Sequence, residues 1–347
     1  MKKTAWVGLA FLLIGPAALA IDIQAVSEGV WAAVQPAHRA SNDSNSLIVE
    51  GDTGVLVVDS QESSADVKEI IRFIGTQIGK PVVYLVNTHW HGDHTQGNHL
   101  YRQAYGDTLT IIGHSTHRED VPNRAEKRIR EQVASLQAEL PAAWQRLEQG
   151  IKRDGTAMTD QEKQTFRDEL HRYTAWVEEH QGFTFTLADH FLDSPLAIEE
   201  AGFNVEILPV SGHTRGDLLV YLPKQEIIAS GDMLDTLPYA GHGYPRKWLV
   251  NLQSFDSRAV SVWLPGHGEI ARDRLLLENV RFYLNNLVEQ VSLYLDEPMH
   301  VIQQKVDLSA SRQRLTGGDA GRQRFFDQVQ KEAVERAYLE LTESASH

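Results

Sequence analysis

Asn87-Thr88-His89-Trp90-His91-Gly92-Asp93-His94-Thr95-Gln96-Gly97-Asn98 is the stretch whose reading decides the fold. The run leading into it, residues 81–88 (Pro-Val-Val-Tyr-Leu-Val-Asn-Thr), is apolar and β-branched and reads as a buried strand. His89, His91, Asp93 and His94 then crowd onto the turn that leaves that strand. Neutral imidazoles and carboxylates are the donors that Zn²⁺ and similar borderline metals accept. On an extended backbone, side chains two apart project the same way, so His89 and His91 can share one ion. Asp93 and His94, past the Gly92 bend, can serve a second ion beside it. Potential ligands in H-x-H-x-D-H order set this stretch apart from a polar surface loop that happens to be rich in histidine.

The order resembles the signature of the metallo-β-lactamase superfamily. That resemblance implies further ligands, each on a loop after a strand and in a set order. His213 sits in Ser-Gly-His-Thr-Arg-Gly-Asp after the strand-like 203–210. Asp232 follows Glu-Ile-Ile-Ala-Ser-Gly, and His267 sits in Trp-Leu-Pro-Gly-His-Gly-Glu. The match spans residues 28–272.

The implied fold is α/β (α+β), an αβ/βα four-layer sandwich with its metals at one edge of the sheets. By the same resemblance, His89, His91 and His213 hold one metal, Asp93, His94 and His267 the other, and Asp232 bridges both. The cofactor so implied is a pair of Zn²⁺ ions, with iron or manganese as other occupants of the same donors. A metal-bridging hydroxide then attacks a small carbonyl substrate (an ester, thioester, lactone or amide), and Asp93, the catalytic residue, orients the water and passes its proton on. True metallo-β-lactamases commonly have Cys or Ser where this chain has Asp232. Asp there looks like the glyoxalase II and lactonase branches and unassigned periplasmic hydrolases, so β-lactam turnover stands as the alternative. His91, where the diiron flavoprotein branch has Glu, speaks against redox chemistry. A non-catalytic periplasmic metal-binding protein is the alternative of another class, separated from the first by turnover of an ester.

Asp59, at the end of its strand, and Asp217, beside His213, are expected to accept the other N–H of a ligating imidazole, against plain turn or capping roles. His242 lies in Leu-Pro-Tyr-Ala-Gly-His-Gly-Tyr-Pro, and with Tyr239 and Tyr244 it is expected to line the substrate cleft. His99, His114, His117, His171 and His180 carry no supporting pattern and read as ordinary surface or core residues.

The chain has 347 residues, 42% of them hydrophobic, enough for a substantial core. Its net charge of −14, with no basic stripe, argues against a nucleic-acid partner and leaves a small molecule as the substrate. Met1-Lys2-Lys3, the apolar run 5–14 and Ala18-Leu19-Ala20 have the layout of a signal peptide over residues 1–20. A mature chain starting at Ile21, periplasmic or secreted and without an integral membrane segment, is the expectation. Zero cysteines suit an oxidising compartment and exclude a disulfide framework.

Strands are expected at 30–35, 46–50, 55–60, 81–88 and 108–113, with helices at 64–78 and near 97–105. The turn 36–45 reads as a solvated loop, with a flap over the site as the second choice. Residues 118–182 read as an inserted helical hairpin interrupted by Pro141 and the Gly155 turn; Thr159 with Glu162 forms a capping box that opens its second helix. The hairpin reads as a packing appendage, with a substrate lid and a homodimer contact as alternatives. Strands resume at 184–187, 196–200, 203–210, 218–222, 226–231 and 261–264, with a helix at 247–259. After a metallo-β-lactamase-like domain over 21–272, residues 273–347 form a helical extension packed on the same domain, with helices at 273–295 and 320–341 and a structural role.

Overall fold

The computed structural model describes residues 21–36 and 43–343. The expected signal peptide and residues 37–42 of the first long turn lie outside the described residues. The chain forms two compact units, one of residues up to Arg118 together with Thr186 onward, the other Glu119–Phe185.

The first unit holds two sheets. One runs in sequence order through β1 (Asp22–Ser27), β2 (Val30–Val34), β3 (Ser46–Glu50), β4 (Val55–Val58), β5 (Val82–Val86), β6 (Thr110–His114) and β7 (His190–Leu192). Pairing is antiparallel from β1 to β4 and parallel from β4 to β7. The other sheet follows the order β12-β11-β10-β9-β8, made of β8 (Leu196–Ile198), β9 (Val205–Val210), β10 (Asp217–Leu222), β11 (Ile227–Ala229) and β12 (Val262–Leu264).

Along β10 the side chains alternate between two cores, as strand geometry requires. Leu218, Val220 and Leu222 point inward and meet Leu47, Leu56 and Val58 of the first sheet. Leu219 and Tyr221 point the other way, into a second core with Trp248, Leu284, Leu287, Ala333 and Ala337. The outer face of the first sheet buries Ile48, Val57, Leu85 and Ile111 against Val67, Ile70 and Tyr101. The result is two sheets face to face with helices outside each, the expected four layers.

The helices of the first unit before the hairpin are α1 (Ser64–Phe73), α2 (Gly92–Thr95) and α3 (Asn98–Tyr105) near the first sheet; α4 (His117–Asp120) spans the point where the chain passes to the second unit. The second unit is the hairpin of α5 (Glu126–Gln149) and α6 (Asp160–His180). Beyond it come α7 (Pro245–Leu252), α8 (Leu275–Ser292), α9 (Met299–Lys305), α10 (Ser309–Thr316) and α11 (Ala320–Glu343). The capping box is formed: Thr159 Oγ1 accepts from the Glu162 amide, and Glu162 accepts from the Thr159 amide.

Several expectations need correction. Pro141 lies inside α5 without breaking it. An internal proline costs a helix about 3 kcal/mol, and the burial of Ala143, Leu147 and Leu170 between the two helices offsets a cost of that size. Residues 184–187 are not a strand. The Phe183 and Phe185 rings pack edge to face at 5.2 Å and the Phe185 amide donates to Glu126, so this segment finishes the hairpin. The next strand is instead β7, which extends the parallel ladder beside β6. Helix 64–78 ends as a π turn over Ile74–Ile78, closed by Gly79 in the left-handed region at φ 74°. Finally, Asp43, Ser44 and Asn45 are buried rather than solvated, for a reason that lies in the site.

Candidate metal centre

Loops at one edge of the two sheets bring every expected ligand together. His89 and His91 leave β5, Asp93 and His94 ride on α2, and His213 lies between β9 and β10. Asp232 sits in the 3-10 turn Gly231–Met233 after β11, and His267 follows β12. The donor atoms of His89, His91, His213 and Asp232 form one cluster within 4.8 Å, and those of Asp93, His94 and His267 form another.

The separations within each cluster test whether a cation fits. Nitrogen donors about 2.0–2.1 Å from a tetrahedral Zn²⁺ stand about 3.3 Å apart. His213 Nε2 lies 3.1 Å from His91 Nδ1 and 3.3 Å from Asp232 Oδ2, and His89 Nε2 is 3.7 Å from that oxygen. The other oxygen, Asp232 Oδ1, lies 3.2 Å from His94 Nε2 and 3.5 Å from His267 Nε2. Asp93 Oδ2 completes this second set, 3.0 Å from His267 Nε2 and 3.4 Å from His94 Nε2. Asp232 therefore offers one oxygen to each set. His89 Nε2, His94 Nε2 and Asp232 Oδ1 are buried without a well-aligned hydrogen-bond partner. A buried polar atom left unmatched costs about 1–3 kcal/mol, a cost that cations held between these donors would offset. The residues present fit a two-metal centre.

Hydrogen bonds set which nitrogen faces inward. Asp59 Oδ2 accepts from His94 Nδ1 at 2.7 Å and from the Thr88 hydroxyl at 2.8 Å, while Asp59 Oδ1 takes the Thr88 amide. With its proton on Asp59, the Thr88 hydroxyl is left to accept from His89 Nδ1 at 3.1 Å. One carboxylate thus orients a histidine of each set, and Asp59 holds a left-handed backbone, φ 62°, to do so. His213 Nδ1 donates to the Tyr239 carbonyl at 3.0 Å. His91 Nε2 lies 2.8 Å from His242 Nδ1, with Trp90 and Tyr239 rings around that pair.

Two of the expected supporting residues act elsewhere. Asp217 does not hold His213; its carboxylate accepts from the amide and hydroxyl of Thr214, so it shapes the loop rather than the imidazole. Burial pushes this carboxyl up to about 7. Tyr244 turns its ring to Arg336 and Lys247 instead, at 4.3 and 5.0 Å.

The sequence reading passed over two residues. Asp235 lies just past the turn that carries Asp232, with a carboxylate oxygen within 4.8 Å of donor atoms of Asp232 and His267; its spacing of three from Asp232 was the available signal. Asn45 was hidden in an irregular loop. Its amide donates to the Pro265 and Gly268 carbonyls, at 3.0 and 2.9 Å, which clamps the turn carrying His267. Residues 43–45 are buried by separate contacts: Asn45 by this clamp, Ser44 by donating its hydroxyl to the Asp93 carbonyl at 2.6 Å, and Asp43 by accepting the Glu62 and Ser63 amides. Gly266 belongs to the same clamp: a Cβ there would collide with Asp232 Oδ1.

Burial favours neutral imidazoles and drives His89 and His91 well below the usual histidine range. His267 is different: burial opposes its charge, but Asp232, Asp93 and Asp235 outweigh it and push the imidazole up to about 10. The second set is thus the electronegative side of the centre.

Fold and donor geometry together bring two neighbouring clusters of imidazole and carboxylate donors, each able to hold a metal ion, to one edge of the sheets. The family profile described as the metallo-beta-lactamase superfamily matches residues 41–261, and this chain belongs to that superfamily. The type 2 metallo-beta-lactamase of Bacillus cereus is 22% identical over 270 residues, 75% of this chain and 81% of that enzyme. The linear primary-alkylsulfatase of Pseudomonas sp. (strain ATCC 19151) is 24% identical over 67% of this chain but only 43% of its own length. The crystal structure of the metallo-beta-lactamase FIM-1 from Pseudomonas aeruginosa, in its mono-zinc form, superposes with a TM-score of 0.52 at 18% identity, covering 78% of this chain and 97% of FIM-1. Among the described residues, no helix is long and apolar enough to cross a membrane.

Proposed function

We propose that the centre holds two zinc ions and that the protein hydrolyses a small carbonyl substrate, an ester, thioester, lactone or amide, outside the cytoplasm. The observation that carries this reading is the orientation of Asp232, one oxygen toward each donor set, beside the buried Nε2 atoms of His89 and His94, which lack a well-aligned hydrogen-bond partner. His89, His91 and His213 would hold one ion, Asp93, His94 and His267 the other, with Asp232 between them. Bound there, the ions supply Lewis acidity toward a carbonyl oxygen and bring the ionisation of a water close to neutral pH.

The remaining chemistry falls to side chains. Asp93 is the more open of the two carboxylate donors, its side chain 22% exposed against 7% for Asp232. It is placed to accept a proton from the attacking water and return it to the leaving group. Asp59 and Thr88 keep His94 and His89 from rotating, which holds their inward nitrogens still through the reaction. His242, beside His91, and Tyr239 are both partly exposed and form a polar–aromatic wall against which a small substrate can be oriented, with the buried Trp90 ring behind His242. A net charge of −14 disfavours polyanionic substrates. The signal-peptide layout of residues 1–20 supports export, which a mature N-terminus at Ile21 would verify by mass spectrometry.

A β-lactam substrate is the second reading. It is favoured by the named activity of the Bacillus cereus relative, which this chain matches over most of its length. One experiment serves both: metal analysis of protein prepared without chelators, then turnover across ester, thioester, lactone and β-lactam panels. About two equivalents of zinc with turnover of a carbonyl ester, thioester or lactone is the expected result. A stable stoichiometry of one, unchanged by Asp232→Ala, defeats the two-metal assignment.

A further inference from the structure

The segment between Asp232 and α7 is irregular, yet it supplies the outer hydrogen-bond partners of two imidazoles in the first donor set. His213 Nδ1 rests on the Tyr239 carbonyl, and His91 Nε2 on His242. The Tyr244 amide also donates to the Gly212 carbonyl at 2.7 Å, directly beside His213. Gly241 and Gly243 lie in this loop, and backbone of that kind keeps a shape only when something outside holds it.

The C-terminal helix provides that hold. Glu332, Arg336 and Glu340 recur at every fourth position of α11 and so share one face. Glu332 accepts the Tyr239 hydroxyl proton at 2.6 Å. Arg336 Nε donates to the Gly243 carbonyl at 2.7 Å while its guanidinium covers the Tyr244 ring. Glu340, only 4% exposed, accepts from the Arg246 and Lys247 amides at 2.8 and 3.1 Å. Those amides open α7, where the N-cap residue Tyr244 offers no side-chain cap. A carboxylate brought from another helix thus takes the place of the missing cap, in the position the helix dipole favours.

We infer that this row is a positioning device for the metal centre: α11 sets the 239–247 loop, and the loop sets the orientation of His91 and His213. The tail, far in sequence from every expected ligand, thereby tunes the affinity of one metal position. The inference rests on the two-metal reading above. It differs from a purely structural tail because it makes the effect local to the first donor set.

The test uses the full-length protein, with zinc affinity measured by chelator competition and the visible spectrum of the cobalt-substituted protein as a report on coordination. Removing an outer partner of a metal ligand typically costs 10–100-fold in affinity. Arg336→Ala and Glu332→Gln should each loosen one of the two equivalents by about 10-fold, at the lower end of that range, and alter the cobalt spectrum. Arg336→Lys should restore part of the loss. Arg312→Ala is the control: it removes a tail ion pair with Asp327, bonded at 2.7 and 2.8 Å, that touches no part of the loop. The control should keep both affinities. The inference is overturned if the parent binds two zinc ions and the Arg336 and Glu332 variants hold them with parental affinity and spectrum. It is equally overturned if all variants, the control included, loosen both ions together. A parent that binds no zinc would instead sink the two-metal reading, and this inference with it.

Discussion

The two donor sets share Asp232 but are held in opposite ways. His89, His91 and His213 rest on partners that are not carboxylates: the Thr88 hydroxyl, the His242 ring and the Tyr239 carbonyl. The second set is built on charge. His94 is backed by the Asp59 carboxylate, His267 lies against Asp93, and Asp235 stands close by. Backing an imidazole with a carboxylate raises its basicity as a ligand, whereas a neutral backing mainly fixes its tautomer and angle. The first set is therefore a geometric cradle, and the second is where charge and protons can move.

The strongest test of that contrast is Asp93→Asn. Asn keeps the shape and an oxygen donor but cannot take a proton. Since acid–base help of this kind is worth on the order of 10²–10⁴-fold, kcat should fall by about that factor with both metals retained. Parental turnover in a variant that keeps both metals would show that proton traffic runs elsewhere. His213→Ala is the matching lesion in the first set. It should lose one ion and an activity that added zinc partly restores, a rescue Asp93→Asn should not show.

Asp59→Asn comes next in size and cuts across the comparison, because Asp59 reaches His94 directly and His89 through Thr88. Zinc affinity should drop about 10–100-fold at both positions. A drop confined to one position, seen in a chelator titration, would mean that the Thr88 link does not carry orientation to His89.

The smallest effect is expected from the hairpin unit. Among the described residues, Glu119–Phe185 contributes no donor to any candidate metal cluster. Replacing it with a short Gly/Ser linker should leave two zinc ions bound, whatever happens to substrate choice. A folded deletion variant that has lost both metals would show that the hairpin helps to build the site.

The ligands were legible because their chemistry is local. Each expected ligand lies three to eight residues past the end of an apolar strand, in a short run of His, Asp and Gly that few other roles require. Strands β3, β4 and β10 could be read from apolar runs, and the capping box of Thr159 and Glu162 from its spacing alone. Asp217 was misread for an instructive reason. Proximity in sequence to His213 suggested a shared hydrogen bond, but the turn brings Thr214 to the carboxylate first. Pro141 misled because a local penalty of about 3 kcal/mol does not decide a long helix that buries one face.

What the sequence determined by itself was the cluster of His89, His91, Asp93 and His94, the strands around it and the two-sheet class, which depend on residue type and short-range periodicity; His213, Asp232 and His267 were read through the family resemblance. Only the tertiary structure decided which oxygen of Asp232 meets which donor set, that Asp59 serves both, and that Asn45 clamps the His267 turn. The same holds for Glu332, Arg336 and Glu340, which look from sequence like ordinary charges on a solvated helix. Their partners lie about ninety residues away. A hydrogen bond depends on where the chain's folding places two atoms, and no local pattern carries that information.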